Sequence, residues 1–256
     1  MWLCILLCHI AFQNNLDGVI LRCPNLNCQH YQTVRKGSFF TNGKHSMLTQ
    51  LKIMVCFVSD VTVSSASRLL GIRRSTVTEY YDNLRGEIVD NLKDYPITFS
   101  DNGEYEVDEC LLKHVYNPRN RKNVIQWIGG IVERTTGKVV LKRISDLTAQ
   151  TLIPWIQEHV PHGSFIYTDE LRSYSTLKDK EYTHLSVNHS KHEYSRQEQF
   201  GTEILNVHIN TLEALNREVR RRFANKSSRR MDRIDMVLAE IMYRYSGRPL
   251  FWAFKV

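Results

Sequence analysis

Apolar and polar positions along the 256 residues change their period twice. Residues 1 to about 43 carry little helical periodicity and hold the turn formers Asp17-Gly18 and Asn42-Gly43. From residue 44 to about 95 the spacing is helical, with Leu48, Leu51, Met54, Val55 and Val58 on one predicted face. A short helix is predicted from Ser65 to Leu70, stopped at Gly71. A third runs from near Ser75 to about Lys93, where Asp94-Tyr95-Pro96 breaks it.

From about residue 104 the period falls to two. Glu104 to Leu112, Val124 to Val132 and Lys138 to Ile144 read as strands, the last after a Thr136-Gly137 turn. Leu147 to Val160 reads as a helix in which Pro154 marks a kink or a shifted start. Ser164 to Thr168 is a short buried-type strand running into Asp169-Glu170, and Tyr182 to Val187 is another. A polar loop is expected from Asn188 to about Asn206, then helices from His208 to Arg222 and from Met231 to Tyr245. Such an order predicts a mixed α/β domain with helices on both faces of its sheet. The predicted segments are 1–43, 44–97, 98–246 and a tail, 247–256.

Composition is that of a globular chain, 42% hydrophobic and 24% charged, which excludes a disordered chain, a collagen and a coiled-coil rod. With 34 Lys and Arg against 27 Asp and Glu, the net charge of +7 favours an anionic partner such as nucleic acid. No apolar run reaches the ~18 residues a bilayer crossing needs, so a soluble chain without a membrane partner is expected. The apolar stretch Met1 to Phe12 lacks both a preceding basic residue and a following cleavage site, and is not read as a signal peptide. Cys4, Cys8, Cys23 and Cys28 form two close pairs. Four soft ligands brought together by a hairpin suit tetrahedral Zn²⁺, with His9 and His30 as substitutes for a cysteine. The competing reading is four buried thiols in an apolar N-terminus. Cys56 is expected in the core and Cys110 in strand packing.

Ala66 to Tyr81 reads as helix, turn and helix, the second capped by Ser75 or Thr76. DNA-reading helix-turn-helix units place polar and basic groups at that point, here Arg73, Arg74, Ser75 and Thr78. The alternative is a helical hairpin packed for stability. From Arg217 to Arg233 there are eight basic and two acidic residues, either a solvated face or a phosphate-tracking surface that includes Arg217, Arg221 and Arg222. Asp108 within the first strand, Asp169 at the end of the fourth and Glu213 on the basic helix are hard oxygen donors suited to Mg²⁺ or Mn²⁺. Composition and spacing do not single out this triple among 27 acidic residues.

Order and spacing of short blocks do. Val107-Asp108-Glu109, Gly130 to Lys138, Gly163 to Glu170, Val187 to Ser190 and His208 to Glu213 together resemble the Merlin-type DDE transposases and their bacterial insertion-sequence relatives. The resemblance reaches back through Val34 to Phe40 to the cysteine pairs. It implies an RNase H-like catalytic core over 98–246, preceded by a zinc-ribbon-like segment and a helix-turn-helix domain. It also implies that Asp108, Asp169 and Glu213 bind the metal. Arg220, seven residues after Glu213, takes the place of a usual lysine and shares its helical face. Cys110 stands where threonine is usual, Leu215-Asn216 replaces a tryptophan-containing continuation, and the chain begins almost on its first cysteine. Asn188, His189, His208 and Asn210 match positions beside the acids and read as supporting groups; His189 and His192 read as loop residues.

The implied activity is metal-dependent cleavage and strand transfer of double-stranded DNA at terminal inverted repeats, by cut and paste. Joining two ends implies a homo-oligomer. The implied compartment is the nucleus in a eukaryote, or the cytoplasm with nucleoid DNA otherwise. A decayed or recruited copy that binds DNA without catalysis is the alternative, and a nuclease or integrase on the same core is a third reading.

Overall fold

In a computed structural model of the chain, residues 8–11, 15–25, 27, 28, 30–188, 193–224 and 229–254 are described. Two units divide it, Met1–Glu87 with Pro249–Val256 and Ile88–Arg248.

The first unit begins with three short antiparallel strands in chain order, β1 (Cys8–Ala11), β2 (Val19–Arg22) and β3 (Tyr31–Thr33). Three helices follow: α1 (Met47–Val58), α2 (Val63–Leu70) and α3 (Arg74–Asp94). Their limits follow from local chemistry. Ser46 and Thr62 accept the Thr49 and Ser65 N–H groups at 3.3 and 3.2 Å, satisfying donors that a helix start leaves open. Gly71 ends α2 at φ 65°, a left-handed position that a residue with a Cβ resists.

One buried ion pair ties the strands to the helices. Arg35 donates to both carboxylate oxygens of Asp17, to the Gly43 carbonyl at 2.7 Å and to the His45 carbonyl at 2.8 Å. Asp17 also accepts the Met47 N–H at the start of α1, at 2.6 Å. On α1 the buried set is Gln50, Ile53, Met54, Cys56 and Phe57, whereas Leu48 and Val55 are exposed. This corrects the predicted face. A 3.6-residue period admits two adjacent stripes, and the bulkier Ile53 and Phe57 decide which one turns inward.

The second unit is built on β4 (Glu104–Asn117), β5 (Lys122–Glu133), β6 (Val139–Ile144), β7 (Phe165–Asp169) and β8 (Thr183–Val187), joined in the order β6-β5-β4-β7-β8. The first three pair antiparallel, and β7 and β8 add in parallel beside β4. Helix α4 (Ala149–His159) makes the crossover into β7. Together with a 3-10 segment, Arg172–Lys180, it covers one face through Leu152, Trp155, Ile156, Tyr174 and Leu177. Helices α5 (Asn210–Arg222) and α6 (Ile234–Arg244) cover the other through Leu212, Leu215, Val219, Val237 and Ile241. The strand, helix and strand order fits the RNase H-like core that the resemblance implies.

Pro154 lies inside α4 and does not mark its start, which is five residues earlier at Ala149. The predicted loop from Asn188 to Asn206 is also corrected. It holds a hairpin of β9 (Ser195–Phe200) and β10 (Glu203–His208), turned at Gly201-Thr202. Its apolar side, Leu205 and Val207, packs on Tyr167, Leu185 and Val187. β9 itself is polar throughout except at Phe200, so no alternation announces it. The predicted core placements of Cys56 and Cys110 hold, both being buried.

The Arg35 hydrogen bond holds the Asp17 carboxyl below its ordinary range despite burial. Its contribution to stability is therefore complete above about pH 4 and fades as pH falls through the lowered value. Asp17→Asn should cost about 3 kcal/mol of local stability at neutral pH, by leaving Arg35 buried without its carboxylate. Amide hydrogen exchange along α1 reads this; unchanged exchange in the variant would assign the pair no structural weight.

Candidate active site

β4 is the central strand, and its alternation sorts its acids between two faces. Cys110 and Leu112 join the α5 side, as do Glu106 and Asp108 by the same period. Tyr105 and Val107 join the α4 side, and with them Glu109. The parallel ladder to β7 pairs Glu104 with Phe165 and Glu106 with Tyr167; two residues further along the two strands lie Asp108 and Asp169. The two predicted aspartates thus stand on neighbouring strands, Asp169 at the last pair of the β7 and β8 ladder where a loop begins and Asp108 within β4.

Glu109 registers both of them. Burial is the main cause that raises its carboxyl to about 7, the nearby negative charges of Asp108 and Asp169 add to it, and the hydrogen bond from the Tyr174 hydroxyl opposes it. The buried Tyr174 hydroxyl is pushed well up by desolvation and by the same carboxylates. Asp169 accepts the Leu171 N–H at 3.0 Å, which bends the chain away from β7. Asn188, buried after β8, donates to Glu170, the supporting role expected of it.

Helix α5 carries the third predicted acid, and its position is set by Glu106. That carboxylate is fully buried; one oxygen accepts the Leu212 N–H at 2.8 Å in the first turn of α5, and the other takes the Arg134 guanidinium at 3.0 Å. Arg134 continues to Glu104 at 3.0 Å and to the Asn206 carbonyl at 2.9 Å, and stacks over the Tyr167 ring at 3.6 Å. His208 places Nδ1 3.3 Å from Glu106, and its pKa is lowered, first by burial and then by Arg134.

Beyond this anchor α5 and β4 keep step. Asn216, buried, donates to Asp108 at 2.8 Å. The Arg220 side chain reaches Cys110, whose thiol is nonetheless pushed up by burial. Leu212 with Glu106, Asn216 with Asp108 and Arg220 with Cys110 form a row, because four helical residues rise about 6.0 Å and two strand residues about 6.7 Å. Glu213 follows Leu212 in the same first turn and is half-buried.

Oxygen donors of three carboxylates around one strand fit a hard divalent cation in kind. Among the described residues no three Asp, Glu, His or Cys side chains already converge as a ligand set. The other predicted sites are placed separately. Arg73, Arg74 and Ser75 are exposed at the start of α3, and the Thr78 hydroxyl donates to the Arg74 carbonyl at 2.9 Å. Arg221 and Arg222 are ion-paired to Glu218 at 2.6 Å, and Arg222 also meets buried Glu240 at 3.0 Å; Arg217 is exposed. The register of β1 sets Cys8 across from Arg22, beside buried Cys23, while Cys28 is exposed. Cys4, His189 and His192 lie outside the described residues.

Residues 103–246, more than half of the chain, match the ISXO2-like transposase domain. The chain belongs to that transposase family. An uncharacterized transposase-like protein of Haemophilus influenzae is 40% identical over 55 residues, 22% of this chain and 45% of the relative, so the chain matches less than half that relative's length. A cryo-EM structure of a simian T-cell lymphotropic virus intasome in complex with PP2A regulatory subunit B56 gamma is 14% identical. That match covers 75% of this chain and 67% of the other at a TM-score of 0.35, a likeness too slight to bear on the site. Among the described residues no helix is long and apolar enough to cross a membrane.

Glu106, Glu109, Arg134, Tyr174 and Asn216 complete the site although the sequence singled out none of them as functional. The only cue for Glu106 was its place two residues before Asp108 on an alternating strand.

Removing Arg134 while keeping Glu106 should be severe: Arg134→Met is expected to cost about 3 to 5 kcal/mol by stranding a buried carboxylate. Adding Glu106→Gln should return much of that loss in urea unfolding, and a double variant no better than the single would show that the pair is not coupled. Asn216→Leu should leave the melting temperature nearly unchanged and lower DNA-processing activity about 10- to 100-fold, with a raised divalent-ion requirement. Unaltered ion dependence would remove Asn216 from the support of Asp108.

Proposed function

We propose that this family member is a DDE transposase of the Merlin type that cleaves double-stranded DNA at the terminal inverted repeats of its element and joins the freed 3′ ends to target DNA. The observation that carries the reading is the position of Asp108 and Asp169 on adjacent parallel strands, with the Glu213 helix docked along the same central strand.

Asp108, Asp169 and Glu213 would hold Mg²⁺ or Mn²⁺. Bound in pairs at such a carboxylate site, these ions supply activation of the attacking oxygen and stabilisation of the leaving one. The chain's own groups do the rest. Asn216 fixes the rotamer of Asp108, so one carboxylate edge stays turned toward the site. Buried Tyr174 holds Glu109 by a hydrogen bond on the other face of β4, which fixes the strand that carries Asp108. Arg220, exposed at the end of the row, offers a forked cation to a phosphate.

The first unit would bring the DNA. Arg73, Arg74, Ser75 and Thr78 at the start of α3 would meet bases and phosphates as a helix-turn-helix reader does. Cys4, Cys8, Cys23 and Cys28 would hold a structural Zn²⁺, a reading that rests on their spacing as two close pairs. Arg217 extends the cationic surface; Arg221 and Arg222 would do so only with Glu218 as a shared partner. Synapsis of two ends calls for a homo-oligomer, at work wherever the element's DNA resides, in a nucleus or a bacterial nucleoid.

Cleavage and strand transfer on DNA bearing the element's ends, with Mg²⁺ or Mn²⁺, tests the whole reading. The wild type should process both ends, chelation should stop it, and Asp169→Asn or Glu213→Gln should reduce it at least about 1,000-fold while DNA binding persists. Tight binding with no cleavage by any of the three proteins would make the chain a DNA-binding protein without catalysis.

A further inference from the structure

β4 breaks its ladder beyond the carboxylates. Leu112 pairs with Gln126 and Val115 with Val124, so Lys113 and His114 together oppose the single residue Ile125. His114 takes up the extra length at φ 58°, a left-handed conformation unusual for a residue with a side chain. Bulges of this kind re-aim side chains at the border of a site, and Lys113 and His114 are both exposed.

They are aimed into a cleft. A cavity of about 350 Å³ is lined by Lys113, His114, Arg220, Phe223 and Arg229 together with Leu111 and Leu112. A second, of about 550 Å³, continues from His114 and Arg229 past Tyr116 and Asn123 to Arg230. No described lining residue of either is acidic; Arg230 meets Asp232 at 2.8 Å outside the lining. The floor is fixed: the Tyr116 N–H donates to the Arg229 carbonyl at 2.7 Å, and the Met231 N–H to the Tyr116 carbonyl at 2.9 Å. One end of the cleft is Arg220, whose side chain reaches Cys110, two residues from Asp108.

We infer that this cleft, from Arg220 past the Lys113-His114 bulge to Tyr116, is a track for the phosphodiester backbone of a DNA strand leaving the carboxylates. The inference rests on the transposase reading above and adds to it the exit path and the residues that line it. Counted along the unbulged partner strand, from Gly130 to Asn123, the path from Asp108 to Tyr116 is about 23 Å, or roughly seven steps of a B-form strand at 3.4 Å each. A single phosphate would not need that length, whereas a strand would. The mixture of cations with Tyr116 and Asn123 is that of a sequence-independent backbone contact.

His114→Gly separates binding from folding, because glycine relieves the left-handed backbone while removing the ring. Full-length wild type, His114→Gly, Lys113→Gln and a control, Lys178→Gln on the 3-10 segment of the α4 face, would be titrated with a labelled duplex of arbitrary sequence over a range of salt. The His114 and Lys113 variants should each bind about fivefold more weakly, and Lys113→Gln should also lower the salt slope by about one. The His114 variant should melt no lower than wild type, and the control should bind as wild type does. Variants that bind with wild-type affinity and slope would overturn the track while leaving the transposase reading intact. A wild type that binds no duplex at all would overturn both.

Discussion

Everything at the candidate active site hangs on where the Glu106 carboxylate goes. A fully buried carboxylate is expensive unless its charge is met on every side. Here one oxygen is met by Arg134 and the other by the Leu212 N–H in the first turn of α5. Helix starts present unsatisfied N–H groups and a partial positive charge, so the contact suits both partners. Because Glu106 has no other place to put that oxygen, α5 is locked to β4 at one register. Arg134 then draws Glu104, Tyr167 and the strand before α5 into the same knot.

The knot makes a gathering of acids tolerable. Asp108, Glu109 and Asp169 lie close enough that Glu109 is pushed up to about 7, mainly by burial and further by its two neighbours. Left alone, such a cluster would push the strands apart. Hydrogen bonds hold it: Asn216 to Asp108, Tyr174 to Glu109 and the Leu171 N–H to Asp169. These donors are an amide, a hydroxyl and a backbone N–H, so the three bonds position the carboxylates without adding a charge.

Much of this was legible in the sequence, and the rest was hidden for physical reasons. Period-two alternation found the five strands of the sheet because each buries at least one face, and Gly71 and the Asp94-Tyr95-Pro96 break bounded their helices. The ordered blocks around Asp108, Asp169 and Glu213 led to the transposases at large, and the match of residues 103–246 is to the ISXO2-like domain, which supports the insertion-sequence side of the resemblance and not the Merlin type in particular. The hairpin of β9 and β10 stayed invisible because its outer strand buries almost nothing. Leu48 and Val55 misled because amphipathic spacing does not say which of two adjacent stripes has a partner. Glu106 and Arg134 were missed for a different reason: a buried ion pair formed across 28 positions leaves no local pattern.

The row along α5 follows from one docking point. Locked at Leu212, the helix climbs beside β4 at nearly the rise of the strand, so every fourth helical residue meets every second strand residue. Asn216 and Arg220 are delivered to Asp108 and Cys110 by that commensurate spacing, with no separate device for either. That Asn216 is an amide makes sense in the same frame. At that level of the row the facing group is a carboxylate, and an amide can bond to it where an aromatic ring could only pack. The same spacing ends at the level of Arg220 and Cys110, two residues before β4 leaves its ladder after Leu112 and beside the cationic cleft. Glu106 with Leu212, Asp108 with Asn216 and Cys110 with Arg220 are thus successive levels of one helix-on-strand contact, and their spacing is set by the pitch of α5.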